Sequence, residues 1–73
     1  VMLNLLGEPG YDGEAQYEGL QEALAVPGVY IHLYGKKYTR PARKMGHITI
    51  LGKDVEVAQQ RAEQIRNVIK VIA

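Results

Sequence analysis

The densest chemical signal in this chain is a cluster of basic side chains near its middle. Five of the nine Lys and Arg residues lie within residues 36–44, with no acid among them: Lys36, Lys37, Arg40, Arg43 and Lys44. The remaining basic residues are outnumbered by eight acids, so the formal net charge of +1 conceals a polarised molecule. Because Lys and Arg offer a phosphate both charge and hydrogen-bond donors, the cluster predicts an anion site, with phosphate as the first candidate.

A solvated surface loop is the main alternative for this cluster, and the residues alone leave it open. Arg43 and Lys44 are adjacent, so they point to opposite faces of an extended backbone and converge on one anion only where the loop curls. Three features favour a ligand site, namely the clustering itself, the stiff Arg40-Pro41 step, and His47 on the strand that follows.

Other kinds of site find little support in the composition. The chain has no Cys, which excludes disulfides and thiolate metal ligands. His32 and His47 have no carboxylate paired with them, so we expect no metal site. Neither a nucleophile–base pair nor a glycine-rich phosphate loop of the usual patterns occurs, so we expect no catalytic residue. No apolar run approaches the ~20 residues of a membrane span, and no membrane partner is expected.

The first part of the chain predicts a strand followed by a helix. Residues 1–6 form an apolar run closed by Gly7, which is typical of a buried strand. After a turn-rich loop over residues 8–13, apolar residues at spacings of three and four predict a helix from about Glu14 to Ala25. Pro27-Gly28 should end that helix and turn the chain.

Two strands flank the basic cluster and should position it. Residues 29–34 alternate, so the apolar odd-numbered side chains are expected to face the core, with two Tyr and one His on the opposite side. In residues 45–51 the same alternation places Met45 on one face with His47. Gly46 lies inside this strand, where Gly often marks a bulge or a close approach by a ligand or another backbone.

The last segment predicts a long amphipathic helix from Asp54 to about Val71. Asp54 is a good N-cap, and Glu56 suits the first turn. Apolar residues recur every three or four positions and form a stripe that should pack on the sheet: Val55, Ala58, Ala62, Ile65, Ile69 and Ile72. The residues therefore predict one small α+β domain.

The central stretch also closely resembles a known family. YGK at Tyr34 to Lys36, followed by RPARKMGHITILG at Arg40 to Gly52, is similar to the C-terminal segment of the 5-(carboxyamino)imidazole ribonucleotide synthase family. That family supplies the ATPase subunit of phosphoribosylaminoimidazole carboxylase and belongs to the ATP-grasp superfamily. MLNLLGE at Met2 to Glu8 resembles the segment that opens this domain. The resemblance covers essentially the whole chain, and Val1 before Met2 suggests a piece of a longer polypeptide.

The resemblance implies a reaction for the whole protein. Enzymes of this family use ATP, Mg²⁺ and bicarbonate to carboxylate 5-aminoimidazole ribonucleotide in purine biosynthesis. It implies that residues 1–73 are the C-terminal domain, that ATP and Mg²⁺ bind mainly in preceding ATP-grasp domains, and that the isolated segment is inactive. A cytoplasmic location and a homodimer of the full-length enzyme are further expectations.

The resemblance also assigns roles within this chain. The 5′-phosphate of the substrate is expected to bind Lys36, Arg43 and Lys44. A second set should shape the loop or line the site: Tyr34, Arg40 and His47. The family commonly has Gly where Ala42 stands, and we expect a backbone conformation there that Ala tolerates. The implied fold is the rudimentary single-hybrid motif, a small antiparallel barrel-like sheet with a short helix and a C-terminal amphipathic helix packed on it.

Two other functions remain open. The chain could be the C-terminal domain of a different ATP-grasp carboxylase or ligase. It could also be a small non-enzymatic module that binds protein through its Tyr and His side chains, or nucleic acid through its basic cluster. A nucleic-acid partner is not expected, because the rest of the molecule is acidic and Tyr38 is the only aromatic residue within the basic cluster.

Overall fold

Nine short elements make up the fold, and the computed structural model describes all 73 residues. In chain order they are β1 (Met2–Leu6), β2 (Gly13–Glu14), β3 (Gln16–Glu18), α1 (Leu20–Leu24), β4 (Val29–Leu33), β5 (Tyr38–Thr39), β6 (Lys44–Ile50), α2 (Val55–Val68) and β7 (Lys70–Ile72). The predicted α+β class is confirmed, with antiparallel sheets and two helices.

β6 is the central strand of the main sheet. It pairs with β1 on one side and β4 on the other, both antiparallel. Two further sheets have two strands each: β2 pairs with β5, and β3 pairs with β7. The three sheets do not close into a barrel. Because β4 precedes the basic cluster and β6 begins at its last residue, Lys44, the main sheet holds both ends of that cluster side by side.

The core lies between the main sheet and α2. Alternate residues of β6 from Gly46 to Ile50 are buried, as the sequence pattern predicts. Four residues of the predicted stripe are buried, namely Ala58, Ala62, Ile65 and Ile69, and the last three belong to the same core cluster as Ile48 and Ile50. Burial of one side chain such as Ile65 stabilises the fold by about 1.5–3 kcal/mol. Val55 departs from the prediction, because it is 69% exposed at the start of the helix.

α2 begins where its N-cap predicts and ends earlier than expected. Asp54 Oδ1 accepts a hydrogen bond from the backbone N–H of Val57 at 2.9 Å, which satisfies one free donor of the first turn. The helix stops at Val68 because Ile69 has an extended backbone and residues 70–72 pair with β3. Neither helix of the structure has the length and apolar character needed to cross a membrane.

The predicted helix over residues 14–25 is wrong for its first half. Only α1 is helical, whereas residues 13–18 contribute the short strands β2 and β3. Gly19 marks the change with a left-handed φ of 75°, and a Cβ on it would collide with the carbonyl oxygen of Val68. β3 pairs with β7, so a partner distant in the sequence overrides the helical spacing of the apolar residues.

Two predicted side-chain orientations also change. Leu33, expected in the core, is 43% exposed at the end of β4. Met45 is fully buried, although the alternation places it on the face of His47. The pairing of β6 with β1 skips from Gly46 to Lys44, so Met45 has no cross-strand partner in β1. A bulge of this kind bends a strand and re-aims side chains, which accounts for the burial of Met45.

Candidate anion-binding site

The middle of the basic loop, which we define as residues 36–44, is tied to the N-terminal part of the chain. β5 lies inside the loop and pairs with β2. The backbone N–H of Ala15 donates to the carbonyl oxygen of Lys37 at 2.8 Å. These contacts hold the loop by its backbone, so its charged side chains do not have to fix it.

Gly7 anchors the end of the loop that carries Arg43. Its N–H donates to the carbonyl oxygen of Arg43 at 2.8 Å, and its own carbonyl accepts from the N–H of Ala42 at 2.9 Å. The N–H of Arg43 donates to the carbonyl of Arg40 at 3.1 Å and closes a turn. A Cβ on Gly7 would collide with the carbonyl oxygen of Arg40, so this approach requires Gly. Sequence reasoning gave Gly7 only the role of ending a strand.

Ala42 has a left-handed backbone, contrary to expectation. Its φ is 64°, and it is the only residue other than Gly with a positive φ. A Cβ in this region costs roughly 1–2 kcal/mol, because it crowds the following carbonyl oxygen. The anchor at Gly7 holds Ala42 in this conformation. The expectation that the backbone here suits Ala is therefore wrong, and the position favours Gly.

Lys36 joins the two ends of the basic loop. Its Nζ donates to the carbonyl oxygen of Lys44 at 2.6 Å. The same ammonium lies 5.8 Å from the centre of the Tyr34 ring, within the range of a cation–π interaction. Lys37 points elsewhere, with its Nζ 5.6 Å from the ring centre of Tyr38. The structure thus brings Lys36, not Lys37, next to Lys44.

The other cations of the loop have no anionic partner within the chain. Arg43 is half-buried and Lys44 is exposed, and neither side chain forms a hydrogen bond or ion pair. Arg40 is also exposed and lies on the turn that precedes Arg43. The one ion pair of the chain joins side chains on α2, Arg66 to Glu63, at 3.5 Å. The positive charge of the loop is therefore directed to solvent and is open to an anion.

A cluster of three rings, His32, Tyr34 and His47, lies where the main sheet meets the basic loop. Tyr34 Oη is 2.9 Å from Nδ1 of His47. The rings of His32 and His47 are stacked, with centroids 4.6 Å apart and planes inclined by 20°. His32 and His47 are direct cross-strand partners in β4 and β6. Alternation places His32 and Tyr34 on one face, but the sequence does not reveal the register that brings His47 beside them.

The clefts of the surface lie away from these residues. A cleft of about 280 Å³ beside β1 is lined mainly by apolar side chains. Two more open ones lie near the two ends of α2. None contains a residue of the basic loop or of the three-ring cluster. The candidate site is consequently an open surface, formed by the basic loop and the three-ring cluster, and not a cleft within this chain.

A family model and several known proteins match this chain. A family model described as the phosphoribosylaminoimidazole carboxylase C-terminal domain matches residues 1–61. The N5-carboxyaminoimidazole ribonucleotide synthase of Synechocystis sp. is 46% identical over 56 residues, which cover 77% of this chain and 14% of that protein. The formate-dependent phosphoribosylglycinamide formyltransferase of Syntrophotalea carbinolica is 40% identical over 62 residues, which cover 85% of this chain and 16% of that protein.

A solved structure has the same fold over the whole chain. The crystal structure of N5-carboxyaminoimidazole ribonucleotide synthetase from Thermotoga maritima matches with a TM-score of 0.95 and 52% sequence identity. The match covers 100% of this chain and 20% of that one. The chain therefore spans about a fifth or less of the length of each of these three proteins.

Proposed function

Because the chain belongs to the phosphoribosylaminoimidazole carboxylase C-terminal domain family, we propose that it is the substrate-phosphate-binding part of an ATP-dependent ligase. The complete enzyme carboxylates 5-aminoimidazole ribonucleotide with ATP and bicarbonate. The products are 5-(carboxyamino)imidazole ribonucleotide, ADP and phosphate. Residues 1–73 are its C-terminal domain, and preceding ATP-grasp domains of the same polypeptide complete the active site.

The observation that carries this proposal is the way the loop presents Arg43. The backbone of Arg43 is held by Gly7 and by the turn from Arg40, while its guanidinium has no partner in the chain. Lys44 follows directly, and the Nζ of Lys36 reaches the carbonyl of Lys44. Three cationic residues thus lie along one fixed stretch of backbone, and the proposal is that their side chains converge on the doubly charged phosphate.

Each residue of the loop has a separate part in this function. Lys36, Arg43 and Lys44 bind the 5′-phosphate of the substrate, with Arg43 able to contribute two parallel hydrogen bonds. Arg40 shapes the turn that presents Arg43. Tyr34 and His47 line the neighbouring wall.

ATP and Mg²⁺ are assigned to the preceding domains. No group of three or more His, Cys, Asp or Glu side chains that could hold a metal ion converges in this chain. The chain itself contributes no catalytic residue, and bicarbonate enters as a co-substrate of the full enzyme. We place this enzyme in the cytoplasm, as a homodimer without a nucleic-acid partner.

The test of the phosphate role uses the full-length enzyme. Arg43→Ala should raise the KM for 5-aminoimidazole ribonucleotide about 10- to 100-fold, since a hydrogen bond to a charged group contributes about 1.5–3 kcal/mol. The KM for ATP should change little. Arg66→Ala, on the exposed side of α2, is the matched control and should leave both constants unchanged. Equal increases of the two constants after Arg43→Ala would contradict a role in binding the substrate phosphate.

The division of labour between domains has its own test. The isolated 73-residue chain should neither hydrolyse ATP nor form product. If the purified chain hydrolyses ATP only when 5-aminoimidazole ribonucleotide is present, the assignment of ATP hydrolysis to the preceding domains is wrong.

A second candidate is an ATP-grasp ligase that acts on a different ribonucleotide. The 40% identity to a formate-dependent phosphoribosylglycinamide formyltransferase favours it. A loop that binds only phosphate cannot distinguish the two substrates, because both are ribonucleotides with a 5′-phosphate. Steady-state assays of the full-length enzyme with each ribonucleotide decide between the candidates, and we expect turnover with 5-aminoimidazole ribonucleotide.

A further inference from the structure

The ring of His47 is held from two directions. Tyr34 Oη lies 2.9 Å from its Nδ1, and His32 stacks on its face at a centroid distance of 4.6 Å. The Tyr34 ring is tilted by 52° to that of His47, with centroids 5.7 Å apart. One contact fixes a nitrogen and the other fixes the ring plane, so His47 has a defined orientation.

In the contact with Tyr34, the tautomer of His47 decides which of the two groups donates. A neutral phenol donates its proton readily, and a neutral imidazole has one donor and one acceptor nitrogen. When Tyr34 donates to Nδ1, the proton of His47 resides on Nε2. His47 then offers an N–H donor on the side of the ring away from Tyr34.

The three-ring cluster borders the basic loop through Tyr34. Tyr34 immediately precedes the loop, and the Nζ of Lys36 is 5.8 Å from the centre of its ring. Lys44 is three residues before His47, a separation of about 10 Å along a strand. The cluster is accessible to a ligand, since Tyr34 is 45% exposed and His47 is half-buried.

We propose that the Nε2–H of His47 donates a hydrogen bond to the sugar portion of a phosphorylated ligand held by the basic loop. Tyr34 and His32 are positioning residues that set the protonation and the plane of His47. The ligand class is a pentose phosphate or its nucleotide, whose hydroxyl oxygens supply acceptors that inorganic phosphate lacks. This inference rests on the proposed function, because the loop must first bind the phosphate.

The consequence is a division of recognition between two surfaces. The basic loop supplies affinity for any phosphate, and the three-ring cluster supplies preference for a sugar attached to it. A change in the cluster should therefore alter the ratio of the two affinities, whereas a change in the loop should lower both.

The binding test uses the full-length protein, with ribose 5-phosphate and inorganic phosphate as the probes. His47→Leu should weaken ribose 5-phosphate binding about tenfold, the loss expected for one hydrogen bond, and leave inorganic phosphate binding unchanged. His47→Gln keeps an N–H donor and should restore most of the preference. Tyr34→Phe should also weaken ribose 5-phosphate binding, but by less than His47→Leu, and should leave inorganic phosphate binding unchanged. Tyr30→Phe, on the same face of β4, should change neither affinity.

A spectroscopic readout separates positioning from simple packing. In the full-length protein labelled with ¹⁵N-histidine, the signal of His47 is the one absent from His47→Gln. At neutral pH it should show the proton on Nε2, and Tyr34→Phe should shift the population toward the other tautomer. A proton on Nδ1 in the unmodified protein would overturn the assignment.

The failure of this inference is distinguishable from the failure of the proposed function. If Arg43→Ala leaves both affinities unchanged, the phosphate role itself is wrong. If Arg43→Ala weakens both ligands but His47→Leu does not change their ratio, the phosphate role stands and the role of His47 is wrong.

Discussion

The side chain of Lys36 crosses the start of the basic loop and donates from Nζ to the backbone carbonyl of Lys44, 2.6 Å away. Lys36 lies three residues after the end of β4, and Lys44 is the first residue of β6. The bond therefore closes the loop where it leaves and rejoins the main sheet. Lys36 thereby serves the loop before any ligand is present, in addition to the phosphate contact proposed for it.

Removing this bond should loosen the loop. Lys36→Met keeps the apolar stem but loses the donor, so we expect hydrogen exchange of the backbone amides in residues 40–44 to rise by up to about tenfold. Lys37→Met is the matched control, because its ammonium makes no hydrogen bond and lies over Tyr38. The exchange rates of Lys37→Met should stay near those of the unmodified chain. Equal acceleration by the two substitutions would mean that charge, not the bond to Lys44, orders the loop.

Ala42→Gly should stabilise the protein. The substitution removes the roughly 1–2 kcal/mol cost of a Cβ at a φ of 64°, and the greater freedom of Gly in the unfolded chain offsets part of it. We expect a net gain of about 0.5–1 kcal/mol in the free energy of unfolding, measured with urea. Ala25→Gly makes the same change at a φ of −74° and should instead destabilise the chain. A loss of stability on Ala42→Gly would contradict the left-handed conformation.

Gly46→Ala should be strongly destabilising. A Cβ at this position would collide with the carbonyl oxygen of His32, which precedes the β4 partner Leu33, so β4 and β6 would have to separate. We expect a loss of about 1–3 kcal/mol or more, seen as a lower thermal midpoint. Gly10→Ala is the control, since no atom lies within 4 Å of its added Cβ and only its positive φ is penalised. A smaller effect at Gly46 than at Gly10 would rule out the close backbone approach.

Asp54→Ala should weaken the start of α2. The Asp54 carboxylate accepts from the N–H of Val57, and loss of an N-cap of this type costs about 0.5–2 kcal/mol. Chemical unfolding measures the loss, and Asp54→Asn should recover most of it because Asn also caps helices well. Lys53→Ala lies outside the cap and should have little effect. If Asp54→Asn is as damaging as Asp54→Ala, the capping hydrogen bond is not what stabilises the helix.

Local signals in the sequence determined a substantial part of this protein. The alternation in residues 46–50 predicts the buried face of β6, and Asp54 predicts the start of α2. The cluster over residues 36–44 predicts an anion site or a solvated positive loop, and Gly46 predicts either a bulge or a close approach by a ligand or another backbone. Each of these rests on residues within a few positions of one another, so periodicity, capping and charge are sufficient.

The tertiary structure alone decided the features that depend on distant partners. β3 forms because β7 pairs with it, and this pairing also ends α2 early. Gly7 holds Arg43 across the sheet, and the same anchor imposes a left-handed backbone on Ala42. His32 meets His47 only because of the register of β4 on β6. Strand partners and register are set by contacts far apart in the chain, and the local sequence pattern does not encode which segments meet.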